Sequence, residues 1–105
     1  MKRILVKYRN FTFGELTFED GKFCYKADEE VVRDALLDGC PVFLYNVDKS
    51  FESENLPSSL MDFVPAKGSE LYEMADIKED DSLFEVLYKV AGQNLYDGEL
   101  YISQN

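Results

Sequence analysis

The tightest constraint on how this chain folds lies between Lys2 and Ala27. Ile4, Val6 and Tyr8 alternate with Lys7 and Arg9, so residues 2–9 read as a strand with one buried face. Arg9-Asn10 supplies a tight turn. Phe11 and Phe13 then alternate in one phase, and Leu16 and Phe18 in the other, with Gly14 beside the slip. A glycine there tolerates the bend or bulge that a change of phase demands. Glu19-Asp20-Gly21 closes a second hairpin, because Asp-Gly adopts the positive φ such turns need. Phe23 and Tyr25 give a third strand. The result is a three-stranded antiparallel meander that needs something apolar laid on its buried face.

The rest of the chain offers several covers. Asp28 caps a short helix in which Glu29 and Glu30 sit at the positive end of the dipole, Val31, Val32, Ala35 and Leu36 carry the apolar face, and Asp38-Gly39 stops it. Pro41–Tyr45 is a near-continuous apolar run and reads as a buried strand. The polar segment from Asn46 to Asn55 reads as a loop and as the most mobile piece of the chain. Pro57 opens a helix anchored by Leu60, Met61 and Phe63, and Pro65 ends it. Ala66-Lys67-Gly68 follows as an exposed elbow. Ser69 caps a second short helix with Leu71, Met74 and Ala75 inward and Tyr72 projecting outward.

After the charged linker Asp76–Asp81, Ser82 and Glu85 form a capping-box pattern. Leu83, Leu87 and Ala91 then make one helix face, widened by Phe84 and Tyr88, with Glu85 and Lys89 paired at i,i+4 and Gly92 as the stop. Asp97-Gly98 turns into a last strand, Glu99–Ser103, with Leu100 and Ile102 inward. The expected class is α+β: an antiparallel sheet of about five strands, open or barrel-like, with three to four short helices on one side. With 105 residues this is one domain spanning 1–105.

Composition narrows the function. The formal charge is −10, from 21 acids and 11 bases, which argues against nucleic-acid binding and favours a solvated surface or a basic partner. Histidine is absent, which removes the commonest general base and metal ligand. Cys24 and Cys40 are too few for a zinc site. They admit a disulfide, but Met1-Lys2-Arg3 leads into an alternating strand rather than an apolar signal region, which favours a cytoplasmic setting and two reduced, buried thiols. No apolar run approaches a membrane span. The carboxylates from Glu70 to Glu85 lack the central Gly of a calcium loop and read as helix caps and a solvated flank. Neither Gly14-Glu15-Leu16 nor Ala66-Lys67-Gly68-Ser69 has the spacing of a phosphate loop. No nucleophile, base and orienting group come together, so the chain reads as a binding protein with no catalytic, metal-ligating or cofactor-binding residue.

One ordered set of fragments carries more. Leu56-Pro57, Phe63-Val64-Pro65-x-x-Gly68, Asp80-Asp81, Val90-Ala91-Gly92 and Gly98-Glu99-Leu100 follow one another, preceded by Gly14–Thr17 and Phe23-x-Tyr25-x-x-Asp28. This series resembles the first N-terminal subdomain of HipA-type serine/threonine kinases. The subdomain also occurs as a separate small protein, HipS, in three-part toxin–antitoxin systems. In full-length family members the subdomain precedes the kinase core. The 105 residues hold no phosphate loop, catalytic Asp or metal-binding residues of that core.

The resemblance implies an antitoxin that binds a separate HipT-type kinase, with a HipB-like helix-turn-helix protein in the same complex. It also implies inhibition by a loop placed near the kinase active site. Here that loop is 64–72, with Val64, Pro65, Lys67, Gly68, Ser69 and Tyr72 as the contact residues. The family's loop commonly carries an acid and then a bulky aromatic. This chain has Lys67 and Ser69 at those positions and no Trp at all, leaving Phe63 and Tyr72 as the nearest rings. Two other readings stay open: an accessory subunit that completes a split kinase, and an acidic adaptor for an unrelated partner.

Overall fold

A computed structural model describes residues 2–93 and 100–104. Five strands form one antiparallel sheet: β1 (Ile4–Tyr8), β2 (Phe11–Glu19), β3 (Lys22–Ala27), β4 (Phe51–Ser53) and β5 (Leu100–Ser103). Their order across the sheet is β4-β3-β2-β1-β5, an open sheet rather than a barrel. Four α-helices complete the α+β fold: α1 (Glu29–Leu37), α2 (Ser58–Met61), α3 (Glu70–Met74) and α4 (Leu83–Ala91). The expected Asp97-Gly98 turn, the start of the last strand at Glu99 and the Gly98-Glu99 part of the motif series lie outside the described residues.

The meander forms where the alternation places it. Asp20 and Gly21 both take positive φ, 52° and 75°, joining Glu19 to its partner Lys22 in a two-residue turn. At the phase slip, Val6 faces Gly14 while Lys7 faces Thr12, so Phe13 is the extra residue of a bulge. Phe13 and Leu16 are thereby both buried. Gly14 has no room for a side chain: a Cβ there would sit 2.4 Å from the Lys26 carbonyl oxygen and 2.8 Å from the Tyr25 ring.

The buried face of the sheet (Ile4, Val6, Tyr8, Phe13, Leu16, Phe23, Tyr25 and Ile102) shares one core with Val32 and Ala35 of α1 and with Phe84, Leu87, Val90 and Ala91 of α4. Both helix starts are capped as their sequences suggest. Asp28 accepts the Val31 N–H at 3.2 Å, and Ser82 accepts the Glu85 N–H at 3.2 Å. The side chain of Glu85 takes the Lys2 ammonium at 2.7 Å. Lys89 reaches Asp81 Oδ2 at 2.5 Å and the Asp76 carbonyl at 3.0 Å. The expected i,i+4 pair is thus replaced by longer-range partners that tie α4 to Lys2, just ahead of β1, and to the preceding linker. That linker is not purely solvated: Asp76 at φ 56° turns the chain so that Ile77 enters the core.

The second quarter departs most from the sequence reading. Pro41–Tyr45 is not a buried strand. Val42–Tyr45 forms a 3-10 turn, with Leu44 N–H donating to the Pro41 carbonyl at 3.1 Å. Residues three apart share a face in such a turn. Val42 and Tyr45 therefore point into the core, while Phe43 and Leu44 face out at 65% and 78% exposure. The missing strand comes from the supposed loop. Asn46 at φ 56° redirects the chain, Val47 is buried, and β4 pairs its Phe51 with Tyr25, the two rings stacking at 5.3 Å. The Tyr25 hydroxyl donates to the Val47 carbonyl at 2.8 Å.

Smaller corrections follow from helix length. Helix α2 ends at Met61, before Pro65, so Leu60 alone of its residues is buried and Met61 faces out. Helix α3 has five residues, and Met74 is exposed rather than inward. Cys40 is buried as a thiol, but Cys24, on the open face of the sheet, is only half-buried. Among the described residues no helix is long and apolar enough to cross a membrane.

Candidate partner-binding surface

The loop between α2 and α3 is fixed at both ends and exposed at its crest. On the α2 side, Phe63 and Val64 donate backbone N–H groups to Leu60 and Met61 at 3.2 and 3.0 Å, and both side chains pack on the core. On the α3 side, Ser69 Oγ accepts the Tyr72 N–H at 3.2 Å, and the Ser69 N–H reaches back to the Ala66 carbonyl at 3.1 Å. Between these anchors Ala66, Lys67 and Gly68 are exposed. Gly68 takes φ 78°, a conformation that L side chains rarely adopt.

The six residues expected to make the contact are therefore not equivalent. Val64 and Pro65 line a shallow groove of about 250 Å³ with Leu71, Val90, Leu100 and Ile102. Lys67 and Gly68 stand at the crest. The Lys67 ammonium is 3.7 Å from Glu79, but both side chains are largely in solvent, so the pair holds the loop only weakly. The Ser69 hydroxyl is occupied by its cap. Tyr72 is half-buried against the core instead of projecting outward, because successive residues of an α-helix are only about 100° apart and Tyr72 therefore stays beside Leu71 rather than opposite it. The crest thus offers a cation and open backbone, and no aromatic ring.

A second feature beside the loop was missed by the sequence reading. The groove shares Asp62, Phe63 and Leu100 with a neighbouring concavity lined by Leu44, Tyr45, Ser58 and Ser59. Ser59 Oγ donates a short hydrogen bond to the Tyr45 carbonyl, fastening α2 to the 3-10 turn. Phe43 and Leu44 project from that turn, so the surface from the turn to the elbow is continuous. The signal was present as the i,i+3 pair Val42 and Tyr45 just after a proline. A run of five apolar residues hides it.

Several titratable groups are shifted by their surroundings. Asp81 is held below the usual carboxylate range by the Lys78 N–H at 2.9 Å and then by the Lys89 ammonium. Asp76 is lowered by its 2.7 Å hydrogen bond to Lys78. Burial, with Asp48 nearby, pushes the Tyr25 phenol well up, and desolvation with Glu52 and Glu19 nearby raises the Cys24 thiol. A concavity on the open face of the sheet contains Arg3, Thr12, Glu15, Lys26 and Asp28. Arg3 is paired with Glu15 at 3.0 Å, and Asp28 caps α1. Among the described residues no group of three or more His, Cys, Asp or Glu is placed to hold a metal ion. Comparison with known proteins finds no matching family model, no matching curated protein and no matching solved structure.

Proposed function

We propose that this chain is an antitoxin-like binding protein that holds a separate HipT-type serine/threonine kinase inactive by laying the 64–72 loop near its active site. The reading rests on the ordered fragments that resemble the HipA N-terminal subdomain. The observation that carries it is the crest Ala66–Gly68, exposed between two hydrogen-bonded anchors. A loop fixed in this way loses little conformational freedom on docking, which favours occupancy of a cleft over chemistry. A HipB-like DNA-binding protein joins the same complex. With a net charge of −10, this chain leaves DNA contact to that member.

A second reading draws on the absence of an aromatic side chain at the crest, where Ser69 is occupied as a cap. Without a ring to wedge into the kinase, the chain acts as an accessory subunit that completes a split enzyme. An acidic adaptor role toward an unrelated partner needs only the charge. The first two readings differ in sign. Autophosphorylation of a HipT-type kinase should fall when the wild-type protein is added. The variant Ala66→Asp/Lys67→Glu should need at least about tenfold more protein for the same inhibition, with unchanged thermal stability. Stimulation by the wild-type chain would select the accessory-subunit reading, and equal inhibition by the variant would move the contact off the loop.

A further inference from the structure

We propose that Phe43 and Leu44 are the anchor of a protein-docking face distinct from the 64–72 loop, and that its partner presents apolar side chains ringed by Lys or Arg. Two consecutive large apolar residues stand 65% and 78% exposed, with Met61 on the adjoining helix at 41%. They are not on a loose loop. Val42 is fully buried, its N–H donates to the Cys40 carbonyl at 2.9 Å, and Ser59 holds the Tyr45 carbonyl from α2. Holding these side chains in water is unfavourable, and covering them gains hydrophobic free energy. Because the turn is already ordered, little of that gain is spent on immobilising it.

The surrounding charge decides what covers the face. Between Asp34 and Ala66 the chain carries Asp34, Asp38, Asp48, Glu52, Glu54 and Asp62 against Lys49 alone. Asp62 lies in the same concavity as Leu44 and is exposed. By contrast, the meander carries Lys2, Arg3, Lys7, Arg9, Lys22 and Lys26 against Glu15, Glu19 and Asp20. Of the acids between Asp34 and Ala66, Asp62 is the one that shares the concavity with Leu44, while Glu52, on β4, lies 3.6 Å from Lys22; the acid at the apolar face is therefore Asp62, on a chain of net charge −10. A second copy docking there would bring like charges together, and each copy carries −10. A basic, apolar surface is complementary instead. This assignment stands whether or not the partner is a kinase.

The test is an amide-resolved NMR titration of the isotope-labelled chain with an amphipathic Leu/Lys peptide and with its Leu/Glu counterpart. The Leu/Lys peptide should shift Phe43, Leu44 and Met61 and weaken with added salt, while the Leu/Glu peptide leaves them unmoved. Phe43→Ser/Leu44→Ser, with dispersed spectra reporting an intact fold, should weaken binding at least about tenfold. Asp62→Lys keeps the apolar anchors and should lower affinity for the Leu/Lys peptide while raising it for the Leu/Glu peptide. No binding, shifts centred elsewhere, or equal affinity for both peptides would overturn the proposal. So would a dimer in sedimentation that the double variant abolishes, since a second copy would then be the occupant.

Discussion

The meander and the segment from Cys40 to Ala75 are both rich in aromatic and aliphatic residues, yet they meet the core in opposite ways. In the meander each apolar side chain is placed by its neighbours. Alternation sets the face, Asp20-Gly21 sets the register, and the single irregularity at Phe13 is absorbed where Gly14 leaves room for the Tyr25 ring. From Cys40 to Ala75 the elements are three to five residues long, and their apolar residues divide between core and solvent: Val42, Val47 and Leu60 are buried, Phe43, Leu44, Met61 and Met74 exposed. The meander places most of its large hydrophobic residues in the core and leaves Phe18 exposed at 38%. Short irregular elements leave a remainder on the surface, and here that remainder is the candidate binding face.

The largest expected effect tests whether the meander is held more tightly than the irregular segment. Phe13→Ala, at a fully buried bulge residue stacked on Tyr8 at 6.0 Å, should cost about 4 kcal/mol in urea unfolding. Leu60→Ala should cost about 2–3 kcal/mol, because a four-residue helix can settle into the hole. If Leu60→Ala costs as much as Phe13→Ala, the contrast between the regions disappears.

A second comparison uses pH. Asp81 has a depressed folded-state pKa, so its contribution is present above the ordinary carboxylate value of about 3.9 and is lost as pH falls through the folded value. Asp81→Asn should flatten the acid limb of the stability curve below about pH 4 and leave the neutral-to-alkaline limb unchanged in shape. An unaltered acid limb would remove Asp81 and its Lys78 and Lys89 partners from the forces fixing α4.

The smallest effect sharpens the comparison most. Phe43→Ser/Leu44→Ser should change stability by no more than about 0.5 kcal/mol, as expected of exposed positions. A loss of several kcal/mol would mean that the apolar run is buried after all.

Where local signals agreed, the sequence could be read closely. The two meander turns, the bulge beside Gly14, the caps Asp28, Ser69 and Ser82, and the exposed elbow at Ala66–Gly68 all followed from short-range rules. Where two rules competed, the reading failed. Pro41–Tyr45 satisfied the pattern of a buried strand, but Cys40 hydrogen-bonds back to Ala35 at the end of α1, and the tight turn follows at once. Phe51 lay in polar surroundings that hid a strand, because its ladder partner, Tyr25, is distant in sequence. In the candidate site, the exposed crest Ala66–Gly68 could be placed in advance. The half-burial of Tyr72 and the exposure of Phe43 and Leu44 could not.

By itself the sequence determined the period of the three meander strands, the ends of the longer helices and the acidic balance, since these depend on residues a few positions apart. Only the tertiary structure decided which strand borders β3, which partners Glu85 and Lys89 take, and which apolar residues are left facing water. The physical reason is that burial is shared. A hydrophobic side chain enters the core only if no other has already filled the space, and that competition is settled among elements far apart along the chain.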